Sequence, residues 1–166
     1  YRVAAEDIAG ATVLNDILPC TAEISGASSC AVEFINDFGR RAFRRPLNQE
    51  EVERYAMLWA EVAEEDGFDA GVQWVITAML QSPHFLYRSE LGLLGTDGLW
   101  QLTDWEVASE LSYLLWGTMP DEALMTAAEI GALRNPAQIR SQVVRMSEDP
   151  RAEGRASAFV RSWLQL

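Results

Sequence analysis

Apolar residues recur at helical spacing along most of the chain. At about 100° per residue, Ala31, Ile35, Phe38 and Ala42 fall on one stripe with Arg40 and Arg44 on the far side, which predicts a helix over 29–44. Its acidic start (Glu33, Asp37) and basic end (Arg40, Arg41, Arg44, Arg45) match the helix dipole, Asp37 and Arg41 add an i,i+4 pair, and Pro46 stops it. Asn48 followed by Glu51 is a capping-box start, after which Val52, Tyr55, Ala56, Trp59 and Ala63 carry a second helix to Glu65. Asp66-Gly67 turns the chain, Asp69 is placed to cap a third helix, and Val72, Val75, Ile76, Met79 and Leu80 line it to Gln81. Pro83 then opens a helical turn in the SPHFLYR segment.

The second half repeats the same signals. Thr103 with Glu106 opens a fourth helix to Trp116, apolar on most of its circumference and so expected to be enclosed by neighbours. Pro120-Asp121 starts a short helix to Ile130, and Asn135-Pro136 and Asp149-Pro150 are cap-then-proline starts of two more. Ile139, Val143 and Met146 line the first of these; Ala152, Ala156, Phe159, Val160 and Trp163 line the second. Strand-like alternation is lacking throughout. The reading is all-α, an antiparallel helical bundle of about seven helices in two packed helical units. It divides into an N-terminal arm (1–28, a short helix or irregular), a small helical domain (29–91), a glycine-rich linker (92–101) and a second helical domain (102–166).

Charge narrows the function classes. With 25 acidic residues against 13 basic, all arginine, the net charge is -12, and its field repels nucleic acid and anionic membrane. Apolar runs such as LSYLLW (111–116) fall well short of the roughly 20 residues of a membrane span. Cys20 and Cys30 flank a small-residue loop, TAEISGASS, that lets them meet. Paired, they close a loop that stabilises by about 2–3 kcal/mol and indicate an oxidising compartment; unpaired thiols are the alternative. Two cysteines with one distant histidine fall short of a four-ligand zinc site.

Three features invite a chemical reading, each beside a plainer one. The RRAFRR cluster, with Arg40 and Arg44, has the fork geometry that binds phosphate or carboxylate, but it equally suits pairing with the chain's own acidic groups at Glu50, Glu51 and Glu53. His84, the lone histidine, is a candidate general base or a ligand contributed to a neighbouring module; between Pro83 and Phe85 it also reads as a packed structural residue. Of six tryptophans, Trp59, Trp105 and Trp163 lie on apolar stripes and are expected in the core, while Trp74, Trp100 and Trp116 are less constrained and leave a sugar-stacking platform open. Carboxylate pairs such as Asp104 with Glu110, or Glu64 with Glu65, are present in number without a catalytic arrangement. Haem-attachment, nucleophile-elbow, phosphate-loop, zinc-protease and dinucleotide motifs are not found.

Cys30, FGRRAFRRPL (38–47), SPHFLYR (82–88) and LTDWEVASELSYLLWGTMPDEAL (102–124) together resemble a known family. They are similar to large secreted planctomycete and myxobacterial proteins that string together domains of unknown function and often carry c-type cytochrome modules. The first segments match the small helical domain of that family. The later ones match the start of the longer domain that follows it, the domain of unknown function fifteen-ninety-two. Arg40, Arg41, Arg44, Arg45, Pro46, Ser82, Pro83, Phe85 and Arg88 stand at motif positions. The resemblance implies an exported, periplasmic or secreted, multi-domain protein of which this chain is a piece at both ends. It implies no cofactor in this chain, haem c belonging to separate modules, and no transferable active site. The expected role is an interaction or scaffold module whose partners are other domains of the same polypeptide or extracytoplasmic proteins. The alternative is an accessory part of a cytochrome-associated redox or extracellular degradative enzyme, with His84 or acidic residues contributing across a domain boundary.

Overall fold

The computed structural model describes residues 1–96 and 98–165, without the side chains of Glu23, Ser25 and Ala156. The fold is all-α, with one small hairpin, and the chain forms two compact units, Tyr1–Tyr87 and Arg88–Leu166.

In the first unit α1 (Arg2–Ala11) and the one-turn α2 (Ala22–Ser25) precede α3 (Ala27–Phe43), α4 (Gln49–Asp66), α5 (Phe68–Gln81) and the one-turn α6 (Pro83–Leu86). The core is built where the apolar stripes meet: Phe34 and Ile35 of α3, Tyr55 and Trp59 of α4, and Val72, Val75, Ile76 and Met79 of α5. Asn48 accepts from the Glu51 N–H while the Glu51 carboxylate accepts from the Asn48 N–H, so the expected capping box closes. Asp69 does not cap α5. Gly67 takes that position at φ +89°, a left-handed conformation that lets α5 begin one residue after α4 ends; Asp69 instead adds negative charge to the first turn. The two helices approach closely at Gly71, where a Cβ would lie 2.7 Å from the Trp59 ring.

The N-terminal arm is more regular than its sequence suggests. α1 packs against α5, burying Ala5 and Ala9, and Leu14, Ile17 and Leu18 follow it onto the core. Small residues carry the α1 contact, so the arm shows little hydrophobic periodicity. Cys20 and Cys30 form a disulfide, tying the arm to the first turns of α3.

The second unit opens with an antiparallel hairpin, β1 (Leu93–Leu94) and β2 (Trp100–Gln101), inside the stretch read as a linker. It continues with α7 (Asp104–Leu115), α8 (Glu122–Glu129), α9 (Pro136–Ser147) and α10 (Pro150–Leu164). Ala108, Trp116, Leu124, Ala127, Ala128, Leu133 and Met146 form its core. Asp121 caps α8 through its side chain, and Asn135 and Asp149 cap α9 and α10 as the cap-then-proline pattern predicts. Two expectations fail. Leu114 leaves α7 with one apolar position in solvent, and the α10 stripe is not core: Ala152 packs, but Phe159, Val160 and Trp163 are exposed. The side chain of Ala156, placed on the same stripe, and Leu166 lie outside the described residues. No helix among the described residues is long and apolar enough to cross a membrane.

Candidate functional site

The basic cluster, the histidine and the Asn48–Glu51 capping box converge in the first unit where α3 ends, α4 begins and α6 turns. Arg44 follows α3 in the left-handed region, φ 58°, and its side chain is buried. Its guanidinium donates to the carbonyls of His84 (2.6 Å), Tyr87 (2.9 Å), Phe85 (3.4 Å) and Ala42 (3.2 Å). A helix leaves its last carbonyls without partners. The Tyr87 N–H closes α6 onto the Pro83 carbonyl, and Arg44, from 40 residues away, meets the carbonyls of His84, Phe85 and Tyr87.

Arg45 points to a different acceptor. Its two terminal nitrogens meet both oxygens of Glu51 at 2.8 Å, a bidentate pair, and its guanidinium stands 5.7 Å over the Phe43 ring. Glu51 is buried; the Arg45 hydrogen bonds outweigh its desolvation and, with the Asn48 N–H, hold its carboxyl down to about 2. A carboxylate held that far down is ionised throughout the neutral range and is a poor proton acceptor. His84 brings Nε2 to 3.5 Å from Glu51 Oε1, with its ring 5.3 Å from Phe43 and about half exposed. Burial raises the Tyr55 phenol, opposed by its hydrogen bond with Ser82, the N-cap of α6. The structure thus joins Arg44, Glu51 and His84 in one cluster. Arg41 pairs with Asp37 at 2.9 Å as its spacing predicts.

What this geometry does chemically is hold segments together. The arginine forks face carbonyls and a carboxylate of the chain itself. Sequence reasoning foresaw a basic cluster answered by the acidic start of α4, and Arg45–Glu51 is that pair. It missed that Arg44 spends its donors on backbone carbonyls, because nothing local signals a contact between residues 44 and 84–87.

The second unit uses arginine in the same way. Asp104 is buried and accepts from the Leu133 N–H (2.8 Å) and Arg134 Nε (2.9 Å). Asp121 takes Arg145 in a bidentate pair (2.7 and 3.1 Å) while capping α8. Trp116 donates from Nε1 to the Met146 carbonyl at 2.9 Å, and Arg151, itself paired with Asp149 at 2.7 Å, covers its ring at 3.6 Å. Glu106 closes the Thr103 capping box and also accepts from the N–H groups of Leu91 and Gly92, fixing the hairpin's entry. Burial raises its carboxyl, but those N–H groups and Thr103 outweigh it and the net shift is downward. Asp104 and Glu110, read together in the sequence, part company: Glu110 meets Arg88 at 3.3 Å. Trp116 is core, Trp105 packs against it in part, and Trp163 is exposed, contrary to its expected burial. Among the described residues, no three His, Cys, Asp or Glu side chains gather as a metal site would need.

Comparison with known proteins follows the division into two units. Residues 30–90 match the family model described as PSD5, protein of unknown function (DUF1595). Residues 102–166 match the model described as PSD4, protein of unknown function (DUF1592). No curated protein and no solved structure matches the chain. The chain therefore carries, in tandem, a domain of the DUF1595 family followed by one of the DUF1592 family.

Proposed function

We propose that this chain is an interaction module of a larger extracytoplasmic protein, docked through the apolar stripe of α10 to another domain of the same polypeptide. The observation that carries the reading is the stripe itself. Phe159 is 62% exposed and Trp163 74%, with Val160 and Leu164 open beside them, on a helix that packs Ala152 against the core near its start. Apolar side chains three and four residues apart, as Val160–Trp163 and Phe159–Trp163 are, are the anchors of helix-in-groove recognition, and an unburied aromatic pair is a costly surface to leave in water. Arg155 and Arg161 flank the stripe in an otherwise acidic chain. The complementary rim on the partner domain is acidic. The disulfide supports the extracytoplasmic half of the reading, since such bonds persist in oxidising compartments.

Calorimetric titration of the chain with the adjoining domains of its polypeptide tests this. A complex weakened at least about tenfold by Phe159→Glu with Trp163→Glu is the expected result, since buried aromatics dominate interfaces. No complex, or one that ignores both substitutions, overturns it.

A further inference from the structure

We propose that the solvent face of α5 is a recognition site for a cation, and specifically for an arginine side chain in a basic peptide segment. Trp74 is the starting observation. On a helix whose Val72, Val75, Ile76 and Met79 are buried, it is 50% exposed. Its ring lines two grooves. One, of about 170 Å³, lies toward α1 and is formed with Glu6, Ala9, Gly10, Gln73 and Thr77. The other, of about 320 Å³, lies toward α4 and is formed with Leu58, Glu61, Val62, Glu65 and Asp66. The larger groove is at the lower end of the range of small-ligand sites, about 300–1,000 Å³.

The lining chemistry selects the ligand. The α4 groove carries three carboxylates, Glu61, Glu65 and Asp66, while on the α1 side Glu6 already pairs with Arg2 at 3.7 Å. A cation over an indole face is attracted by the ring quadrupole, and nearby carboxylates hold its charge. The second unit contains the completed version of this arrangement: the Arg151 guanidinium sits 3.6 Å from the Trp116 centroid while Asp149 takes its charge at 2.7 Å. On the α4 side of Trp74 the ring and the carboxylates line one groove, and the guanidinium is what a partner brings. Gly10 keeps the α1 side open, with nothing within 4 Å of where its Cβ would be. The chain's net charge of -12 steers a basic segment toward this face.

This deepens the interaction-module reading and rests on it, but on a different surface. The probe is an acetylated, amidated glycine–arginine repeat peptide, with the neutral citrulline repeat as its control, titrated calorimetrically at low salt. The arginine peptide binds and the citrulline peptide does not. Trp74→Ala, at a half-exposed position, weakens binding about three- to tenfold. Glu61→Gln with Glu65→Gln weakens it by a similar factor and flattens its salt dependence, whereas the same charge change in the second unit, Glu148→Gln with Glu153→Gln, leaves it within about twofold. Equal binding of the citrulline peptide, equal loss from the second-unit pair, or no binding of the arginine peptide overturns the proposal. Failure here with an intact α10 complex removes only the Trp74 site, and loss of the α10 complex with intact peptide binding removes only the module reading.

Discussion

The two units solve one problem with the same residue and finish differently. In the first, Arg44 and Arg45 draw the end of α3, the start of α4 and the turn of α6 together, over a core in which α3, α4 and α5 all bury their stripes. In the second, Arg134 and Arg145 fix the ends of short helices through Asp104 and Asp121, but α10 keeps its apolar stripe in water. Arginine forks set helix ends in both, and only the apolar stripes decide whether a unit is closed. The first unit buries the stripes of its three long helices; the second leaves the stripe of α10 in water.

The contrast is broken most severely from the closed side. Phe34 is completely buried. Phe34→Ala is expected to cost about 3–5 kcal/mol in denaturant unfolding, because the site is packed from three helices and cannot collapse onto the gap.

Next comes the clasp. Glu51 has a folded pKa of about 2 against an ordinary 4.5, so its contribution is complete above about pH 4.5 and is lost as pH falls toward 2. That contribution is on the order of 2–3 kcal/mol. Glu51→Gln removes the charge partner of Arg45 at every pH. Urea unfolding should show the variant destabilised by about that amount at pH 7, with the gap narrowing toward pH 2. A gap that does not change with pH would mean that the carboxylate's charge is not what stabilises the junction.

A milder change sharpens the comparison in the second unit. Trp116→Phe keeps most of the ring but loses the Nε1 donor to the Met146 carbonyl, which is left with the longer Asp149 N–H bond at 3.3 Å. About 1–2 kcal/mol is expected. The smallest effect belongs to the open helix: Trp163→Ser should change stability by less than about 0.5 kcal/mol, as at other exposed positions. A large loss on unfolding would place Trp163 in a packed interface within the unit.

The sequence was most legible where structure is local. Asn48 with Glu51, Thr103 with Glu106, and the Asn135-Pro136 and Asp149-Pro150 starts all close within a turn of backbone, so spacing alone locates them. The stripe of α5 was also plain, since Val72, Val75, Ile76 and Met79 face one buried side. What sequence could not show depends on distant partners. Ala5 and Ala9 look unremarkable until α5 lies against them. Arg44 reads as a helix-end cation, and its bonds to the carbonyls of His84, Phe85 and Tyr87 exist only once residues 84–87 arrive. The hairpin at 93–101 has too few residues for alternation to register. Helical periodicity marked the α10 stripe correctly as amphipathic, but amphipathicity does not say whether the apolar side is covered by this unit or by something else. Only Asp69 was misassigned locally, because Gly67 offered the left-handed turn that an aspartate cap would have had to replace.

Native-state amide hydrogen exchange of the isolated chain tests the contrast most directly, because it reads local opening helix by helix. A closed first unit and an open α10 predict that the central turns of α3, α4 and α5 exchange only through global unfolding, while residues 157–164 are among the fastest-exchanging helical amides and slow when the adjoining domains are added. Protection across 157–164 equal to that of α4 in the isolated chain would show that the stripe is already covered, and would contradict the account.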